Sequence, residues 1–201
     1  MNVASRCLVG LAFLGVPQTA IAHPVFGGTG GFSGGLLHPL FVPAHVLAIV
    51  GAGLLLSQEA QRGSRGTQLA GLTAFAAGLA AGLVAIANAY VPTLSGETLL
   101  ALAAIAGMLV AISRPFLRFT PILLVALTGY VVALDSPPDV ISMQEAIFIQ
   151  LGTFCGATVF FFVLTEAASR LKANWQRIGA RILGSWIAAS AILVLALRLV
   201  R

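Results

Sequence analysis

Residues 36–57 read LLHPLFVPAHVLAIVGAGLLLS, a run that contains no Asp, Glu, Lys or Arg. A helix needs about 20 mostly apolar residues to cross the hydrocarbon layer of a bilayer. The run therefore predicts a membrane-spanning helix. Its two prolines, Pro39 and Pro43, interrupt the ladder of helical hydrogen bonds, because a prolyl nitrogen carries no proton. We expect this first span to be broken, with freed carbonyl groups and imidazole rings lining a cavity.

The composition of the whole chain supports a membrane location. Of its 201 residues, 59% are hydrophobic and only 8% are charged, and the mean hydropathy is +1.01. Soluble domains carry about 25% charged residues. The composition excludes a water-soluble globular enzyme, a disordered chain and, with only two cysteines, a disulfide scaffold. The net charge is +5, but the basic residues are scattered among apolar runs and form no surface for nucleic acid.

Six apolar runs are candidate spans, and none alternates with the period of two that a β-strand requires. Backbone polar groups inside a bilayer must then form their hydrogen bonds within helices. The sequence predicts an all-α fold, a polytopic membrane bundle of six transmembrane helices over residues 23–201. The predicted spans lie near Leu36–Ser57, Leu69–Tyr90, Thr98–Ile112, Pro121–Leu134, Ala146–Thr165 and Ile182–Val200.

Residues 1–22 read MNVASRCLVGLAFLGVPQTAIA and have the three parts of a secretory signal peptide. Arg6 gives a basic start, an apolar run over residues 7–16 follows, and the sequence AIA at 20–22 fits the cleavage pattern. The mature chain would begin at His23. An uncleaved first transmembrane helix is the alternative interpretation, although the apolar run is short for a span.

The charges of the connecting loops alternate along the chain. Basic residues follow spans one, three and five, whereas the loops after spans two and four hold acids and no Lys or Arg. The positive-inside rule assigns the basic loops to the cytoplasm, so the mature N- and C-termini would be periplasmic in a bacterial inner membrane. Arg198 and Arg201 depart from this rule. The basic loop residues are Arg62, Arg65, Arg114, Arg118, Arg170, Lys172, Arg177 and Arg181, and the acidic ones are Glu97, Asp135, Asp139 and Glu145.

All three histidines, His23, His38 and His45, lie on the outer side or in the outer half of the first span. His38 and His45 are seven residues apart, which in a regular helix places them on nearly one face but about 10 Å apart along the axis. A break would change this spacing, and neutral imidazole is a ligand for Ni, Cu, Zn and Co. A second interpretation places His38 at the membrane interface and gives His45 a hydrogen bond between helices. His23 is either a ligand or part of a flexible end.

The first span also resembles the signature of a known family. The HupE/UreJ family shows roughly G-F-x-x-G-x-x-H-P-x-x-G-x-D-H-x-L-A-M in its first span, ending in G-L-x-x-x-Q. The resemblance implies a small polytopic membrane protein associated with hydrogenase and urease and regarded as a nickel or cobalt permease. The residues that carry it are Gly31, Phe32, Gly35, His38, Pro39, Leu40, His45, Leu47, Ala48, Gly53, Leu54 and Gln58.

One position and one stretch of the chain depart from the family pattern. The Asp that precedes the second histidine of the pattern is replaced here by Ala44, and the His-rich run at the end of the fourth span is replaced by VVALDSPPD at residues 131–139. A divalent cation entering a membrane site must recover its hydration energy from several ligands, and carboxylates also offset its charge. The departures therefore favour an alternative function, a non-transporting membrane accessory or structural subunit of a metalloenzyme complex.

We predict a candidate metal site from the family resemblance and from the position of the charged residues. We expect His38 and His45 to be ligands on the broken first span. His23, Asp135 and Asp139 are expected to gather cations at the outer entrance. The expected function is uptake of a divalent transition-metal ion, most readily nickel or cobalt.

No Ser-His-Asp set, zinc-protease motif or heme-attachment motif occurs in the sequence, so we expect no enzymatic activity. We also expect no tightly bound cofactor, with Ni²⁺ or Co²⁺ as a bound or transported ion. The expected partners are the lipid bilayer, a transition-metal ion, and a metalloenzyme or its maturation machinery, but no nucleic acid.

Overall fold

The computed structural model describes residues 31–63, 65–88, 95–115, 117, 119–138 and 142–200. The predicted signal peptide, His23 and Asp139 lie outside these ranges. Within them the chain forms helices and no strand, as the sequence predicts. The helices are α1 (Phe32–Phe41), α2 (Pro43–Arg62), α3 (Arg65–Ala87), α4 (Ser95–Ile112), α5 (Phe119–Leu134), α6 (Met143–Ser169) and α7 (Asn174–Leu199).

Five of the described helices, α2, α3, α4, α6 and α7, are long and apolar enough to cross a membrane. Helix α5 is equally apolar, but its 16 residues extend only about 24 Å at 1.5 Å per residue, less than the roughly 30 Å of a hydrocarbon core. Each of the six predicted spans overlaps a helix, the first being divided between α1 and α2. The structure is that of a multi-pass membrane protein.

The predicted break in the first span is confirmed, and it falls at Val42. This residue has extended backbone angles, φ −91° and ψ 111°, between the end of α1 and the start of α2. Pro43 is the first residue of α2, where its missing N–H costs no helical hydrogen bond, and a proline disfavours helical angles in the residue before it. Pro39, by contrast, lies inside α1. The second proline therefore sets the position of the break.

Helix α2 occupies the centre of the bundle and contacts each of the other six described helices. Its middle is sealed by small and branched apolar side chains that are almost inaccessible to solvent. The surrounding helices α3, α6 and α7 keep long exposed apolar faces, which in a membrane meet lipid tails. The sealed residues of α2 are Ala48, Ile49, Ala52, Leu55 and Leu56.

Helix α1 packs closely along the first half of α6. A Cβ atom added at Gly35 would collide with the backbone carbonyl of Ile149, and one added at Gly156 would collide with the carbonyl of Leu36. Helices in membranes approach this closely where side chains are missing. Because of this contact, α1 is held against α6, although only Val42 separates α1 from α2 along the chain.

The loops that carry the basic residues meet at one end of the bundle. At that end the Arg62 guanidinium donates a hydrogen bond of 2.7 Å to the carbonyl oxygen of Ser113, and Arg181 Nε donates one of 3.0 Å to the carbonyl of Ala111. Gln61 Nε2 similarly reaches the carbonyl of Ala168 at 3.1 Å. We call this the basic end. The opposite end, where α2 begins and α5 stops, is called the histidine end.

Candidate functional site

Two imidazole rings meet where the first span breaks. His38 lies in the last turn of α1, and His45 is the third residue of α2. Their ring centroids are 5.2 Å apart, with the ring planes inclined by 70°. In a regular helix the two residues would be separated by about two turns. The extended backbone at Val42 replaces that separation with an edge-on contact.

His45 is fixed by a carboxylate from a distant part of the chain. Its Nε2 lies 3.0 Å from Oδ2 of Asp135, in the turn that follows α5, and the histidine side chain is completely buried. A carboxylate accepts hydrogen bonds, so the proton of a neutral imidazole belongs on Nε2. The lone pair of His45 is therefore on Nδ1.

Two of the imidazole nitrogens in this cluster are buried without a hydrogen-bond partner. They are Nδ1 of His45 and Nε2 of His38. A buried polar atom is normally paired, and an exception calls for an explanation such as a bound ion or water. A nitrogen lone pair is the group with which neutral imidazole binds transition metals. The pair can thus supply two nitrogen ligands, with Asp135 behind His45 in the arrangement that orients metal-binding histidines.

Asp135 is itself held from a second helix. Ser95, the first residue of α4, donates a hydrogen bond of 2.8 Å from its hydroxyl to Oδ1 of Asp135. Burial raises the pKa of the Asp135 carboxyl group, but the hydrogen bonds from His45 and Ser95, together with the charge of Arg198, outweigh burial and hold the pKa below its ordinary value. The carboxylate is therefore ionised and ready to accept both hydrogen bonds.

A basic residue in the last turn of α7, Arg198, also lies at the histidine end. Arg198 Nη1 lies 3.6 Å from Oε1 of Glu97, and both side chains are partly exposed. The charge of Arg198 also acts on Asp135. Arg198, which departs from the positive-inside rule, thus lies beside two acids.

The predicted site residues can now be located. His38, His45 and Asp135 come together, although Asp135 contacts the imidazole of His45 and not an open entrance. At the break, where the sequence predicts a cavity, the two imidazole rings lie in edge-on contact. His23 and Asp139 lie outside the described residues. Within the residues that the structure describes, no three His, Cys, Asp or Glu side chains are arranged to hold a metal ion.

Two residues of the cluster were missed by the sequence analysis as members of the site. Ser95 has no distinguishing pattern around it, because a serine at the start of a helix is common as a cap. Arg198 did carry a signal, since it is a basic residue at the end of the bundle predicted to lack them. A charge on the unexpected side of a membrane often has a local partner.

A cavity of about 140 Å³ lies at the basic end, far from the histidines along α2. Gln58 donates from Nε2 to the carbonyl of Val110 at 3.2 Å, while its Oε1 is buried without a partner. The cavity is lined by Leu54, Ser57, Gln58, Gln61, Arg62, Ser113, Ala168, Leu171, Arg177 and Ala180. The apolar middle of α2 separates it from the histidine cluster.

The fold and the cluster define a multi-pass membrane protein whose central helix carries a buried imidazole held by a carboxylate. The chain belongs to the HupE/UreJ family: the sequence model described as HupE / UreJ protein matches residues 11–194. Membership of this family points to a metal-related role in the membrane, as an accessory protein or a transporter. No match was found among the curated proteins or among the solved structures.

Proposed function

We propose that the protein carries a divalent transition-metal ion, Ni²⁺ or Co²⁺, across a bacterial inner membrane. The observation that carries the proposal is the pair of buried, unpartnered nitrogens, Nε2 of His38 and Nδ1 of His45, on rings 5.2 Å apart. Imidazole suits nickel and cobalt better than it suits Mg²⁺ or Ca²⁺, which prefer oxygen ligands.

The small number of protein ligands is compatible with transport. A transport site must bind its ion firmly enough to admit it and weakly enough to release it. Two imidazoles leave the remaining coordination positions to water. The missing carboxylate at Ala44 is partly offset by Asp135, whose negative charge lies one hydrogen bond behind His45. A carboxylate in that position raises the basicity of a histidine ligand.

The distribution of charge supports inward movement. The basic loops meet at one end of the bundle, which the positive-inside rule assigns to the cytoplasm. The histidine cluster would then face the periplasm, together with the mature N-terminus and the end of α7. On this topology an ion would enter beside His38 and leave at the basic end.

The test is uptake of radioactive Ni²⁺ or Co²⁺ by cells that express the protein. Uptake above that of cells with an empty vector is expected, and it should fall to that background in the double variant His38→Ala/His45→Ala. A matched control is Thr128→Val, since Thr128 in α5 is as buried as His45 but donates its hydrogen bond to the carbonyl of Leu124 within its own helix. Uptake by the double variant equal to that of the unaltered protein would contradict the proposal.

A second function is favoured by one observation: the described residues hold no group of three potential metal ligands. A non-transporting accessory or structural subunit of a metalloenzyme complex needs no transport site. It should co-purify with a larger complex from the membrane of its host and contain no metal when isolated. Uptake that depends on both histidines would argue against this second function.

We propose no enzymatic activity for the cluster. Serine, histidine and aspartate are all present, but the Ser95 hydroxyl donates to Asp135 and His45 contacts the other oxygen of the same carboxylate. Nucleophilic catalysis requires the histidine to lie between the other two residues. In this arrangement the hydroxyl contacts the carboxylate directly, and the imidazole of His45 is not placed to take its proton.

A further inference from the structure

We propose that Arg198 is a tethered counter-cation that competes with the metal ion for the negative charge of the histidine end and thereby sets the affinity of the site. The inference rests on the proposed function, because it concerns the same two imidazoles. It assigns a role in specificity to a residue that touches neither of them.

The guanidinium of Arg198 pairs with one carboxylate and lies near a second. Arg198 Nη1 is 3.6 Å from Oε1 of Glu97. The neighbouring residue Gly96 leaves room for this arrangement: a Cβ atom there would lie 2.8 Å from Arg198 Nη1 and 3.4 Å from Oδ1 of Asp135. The absence of a side chain at Gly96 therefore lets the guanidinium approach both acids.

The role of Arg198 follows from the charges around it. Glu97 and Asp135 are two negative charges at the edge of an apolar bundle, and the imidazole that contacts Asp135 is neutral in its metal-binding form. When no metal is bound, Arg198 supplies the positive charge that partly balances these two carboxylates. A metal dication that binds at the histidines supplies positive charge in its place, and the dication and the guanidinium repel each other.

The ion pair between Arg198 and Glu97 can also be broken at little cost. The side chains of Arg198 and Glu97 are 48% and 28% exposed, and ion pairs of this kind contribute little net stability because water competes for both partners. Arg198 can therefore swing toward Glu97 or solvent when the metal binds near Asp135. A fully buried guanidinium would resist such a movement.

The experiment measures Ni²⁺ binding to the purified full-length protein in detergent by equilibrium dialysis. Removing the charge with Arg198→Gln should tighten binding by about tenfold at low salt, as expected for removal of a like charge from a partly solvated site, and by less at high salt. Arg198→Lys should remain close to the unaltered protein. The matched control is Arg181→Gln, which removes a charge from the same helix at the basic end and should leave binding unchanged.

A second variant tests the position of the Arg198 guanidinium without removing its charge. Gly96→Ala places a methyl group against the guanidinium, so it should displace Arg198 and tighten binding in the same direction as Arg198→Gln. In the Arg198→Gln background the alanine should have no further effect, because the group that it displaces is gone.

The outcomes separate the two proposals. If the unaltered protein binds no Ni²⁺ or Co²⁺, the proposed function is wrong and this inference falls with it. If it binds metal through His38 and His45 but Arg198→Gln and Gly96→Ala leave the affinity within twofold, the proposed function stands and the role of Arg198 is refuted. Tighter binding in both variants, and not in Arg181→Gln, supports it.

Discussion

Nε2 of His45 and Oδ2 of Asp135 lie 3.0 Å apart although 90 residues separate them along the chain. This one contact joins the start of the central helix to the end of α5, and it fixes which nitrogen of the imidazole carries the proton. It connects the packing of the bundle to the chemistry at the break in the first span.

We expect Asp135→Ala to destabilise the protein by about 1–3 kcal/mol, because it leaves the buried Nε2 of His45 without a partner. Asp135→Asn keeps an oxygen acceptor and should cost less. Both should weaken metal binding, since a carboxylate that orients a ligand histidine commonly contributes tenfold or more to affinity. Thermal unfolding in detergent and equilibrium dialysis measure the two effects.

The control for this prediction is Glu166→Gln at the basic end. Glu166 pairs with Arg170 one turn later, at 2.9 Å, and such exposed pairs contribute only about 0.3–0.5 kcal/mol. A melting temperature for Asp135→Ala equal to that of Glu166→Gln would mean that the bond to His45 has no structural importance.

The contact between α1 and α6 predicts opposite effects for glycine substitutions. Gly35→Ala or Gly156→Ala should destabilise the protein by about 1–3 kcal/mol, because the new methyl group meets backbone atoms that cannot move aside cheaply. Gly179→Ala in α7 meets nothing within 4 Å and should stabilise its helix by about 0.5–1 kcal/mol. Thermal unfolding of the three variants tests the contact, and equal melting temperatures would disprove it.

Arg62 is expected to hold the basic end together. Its guanidinium donates to the carbonyl and hydroxyl oxygens of Ser113 and to the carbonyl of Arg114, and it pairs with Glu59. Arg62→Ala should cost about 1–2 kcal/mol, and Arg62→Lys should recover only part of it because an ammonium group lacks the planar fork.

For comparison, Arg65→Ala removes an exposed charge at the start of α3 and should change the stability by less than about 0.5 kcal/mol. Unfolding midpoints of the Arg62 and Arg65 variants that coincide would show that the hydrogen bonds of Arg62 contribute nothing.

The topology predicts which loops react with a membrane-impermeant thiol reagent. In a variant without Cys7 and Cys155, Met143→Cys at the histidine end should be labelled in intact spheroplasts. Lys172→Cys at the basic end should be labelled only in inverted vesicles. Both residues are exposed, so access depends on the side of the membrane. The opposite labelling pattern would invert the proposed direction of transport.

Much of the fold was predictable because it depends on local patterns. Apolar length located the helices, and the missing N–H groups of Pro39 and Pro43 predicted a break in the first span. The sequence could not tell which of the two prolines would end the helix: Pro39 remains inside α1, whereas Pro43 begins α2.

The candidate site was less predictable because it is assembled from distant parts of the chain. Spacing along a helix suggested that His38 and His45 were too far apart for one ion, and only the break removes that objection. Nothing in the sequence distinguished Asp135 from Asp139 as a neighbour of the histidines. The partnership with His45 follows from the packing of α5 against α2, which is a property of the assembled bundle.

The two imidazoles belong to different helices, which are separated along the chain only by Val42. His38 is part of α1, which is packed against α6, whereas His45 begins the helix around which the remaining helices are arranged. Any movement of α1 relative to α2 would alter the distance between the two rings directly. Spectroscopic probes at these two positions would therefore measure such a movement as a change in distance between α1 and α2.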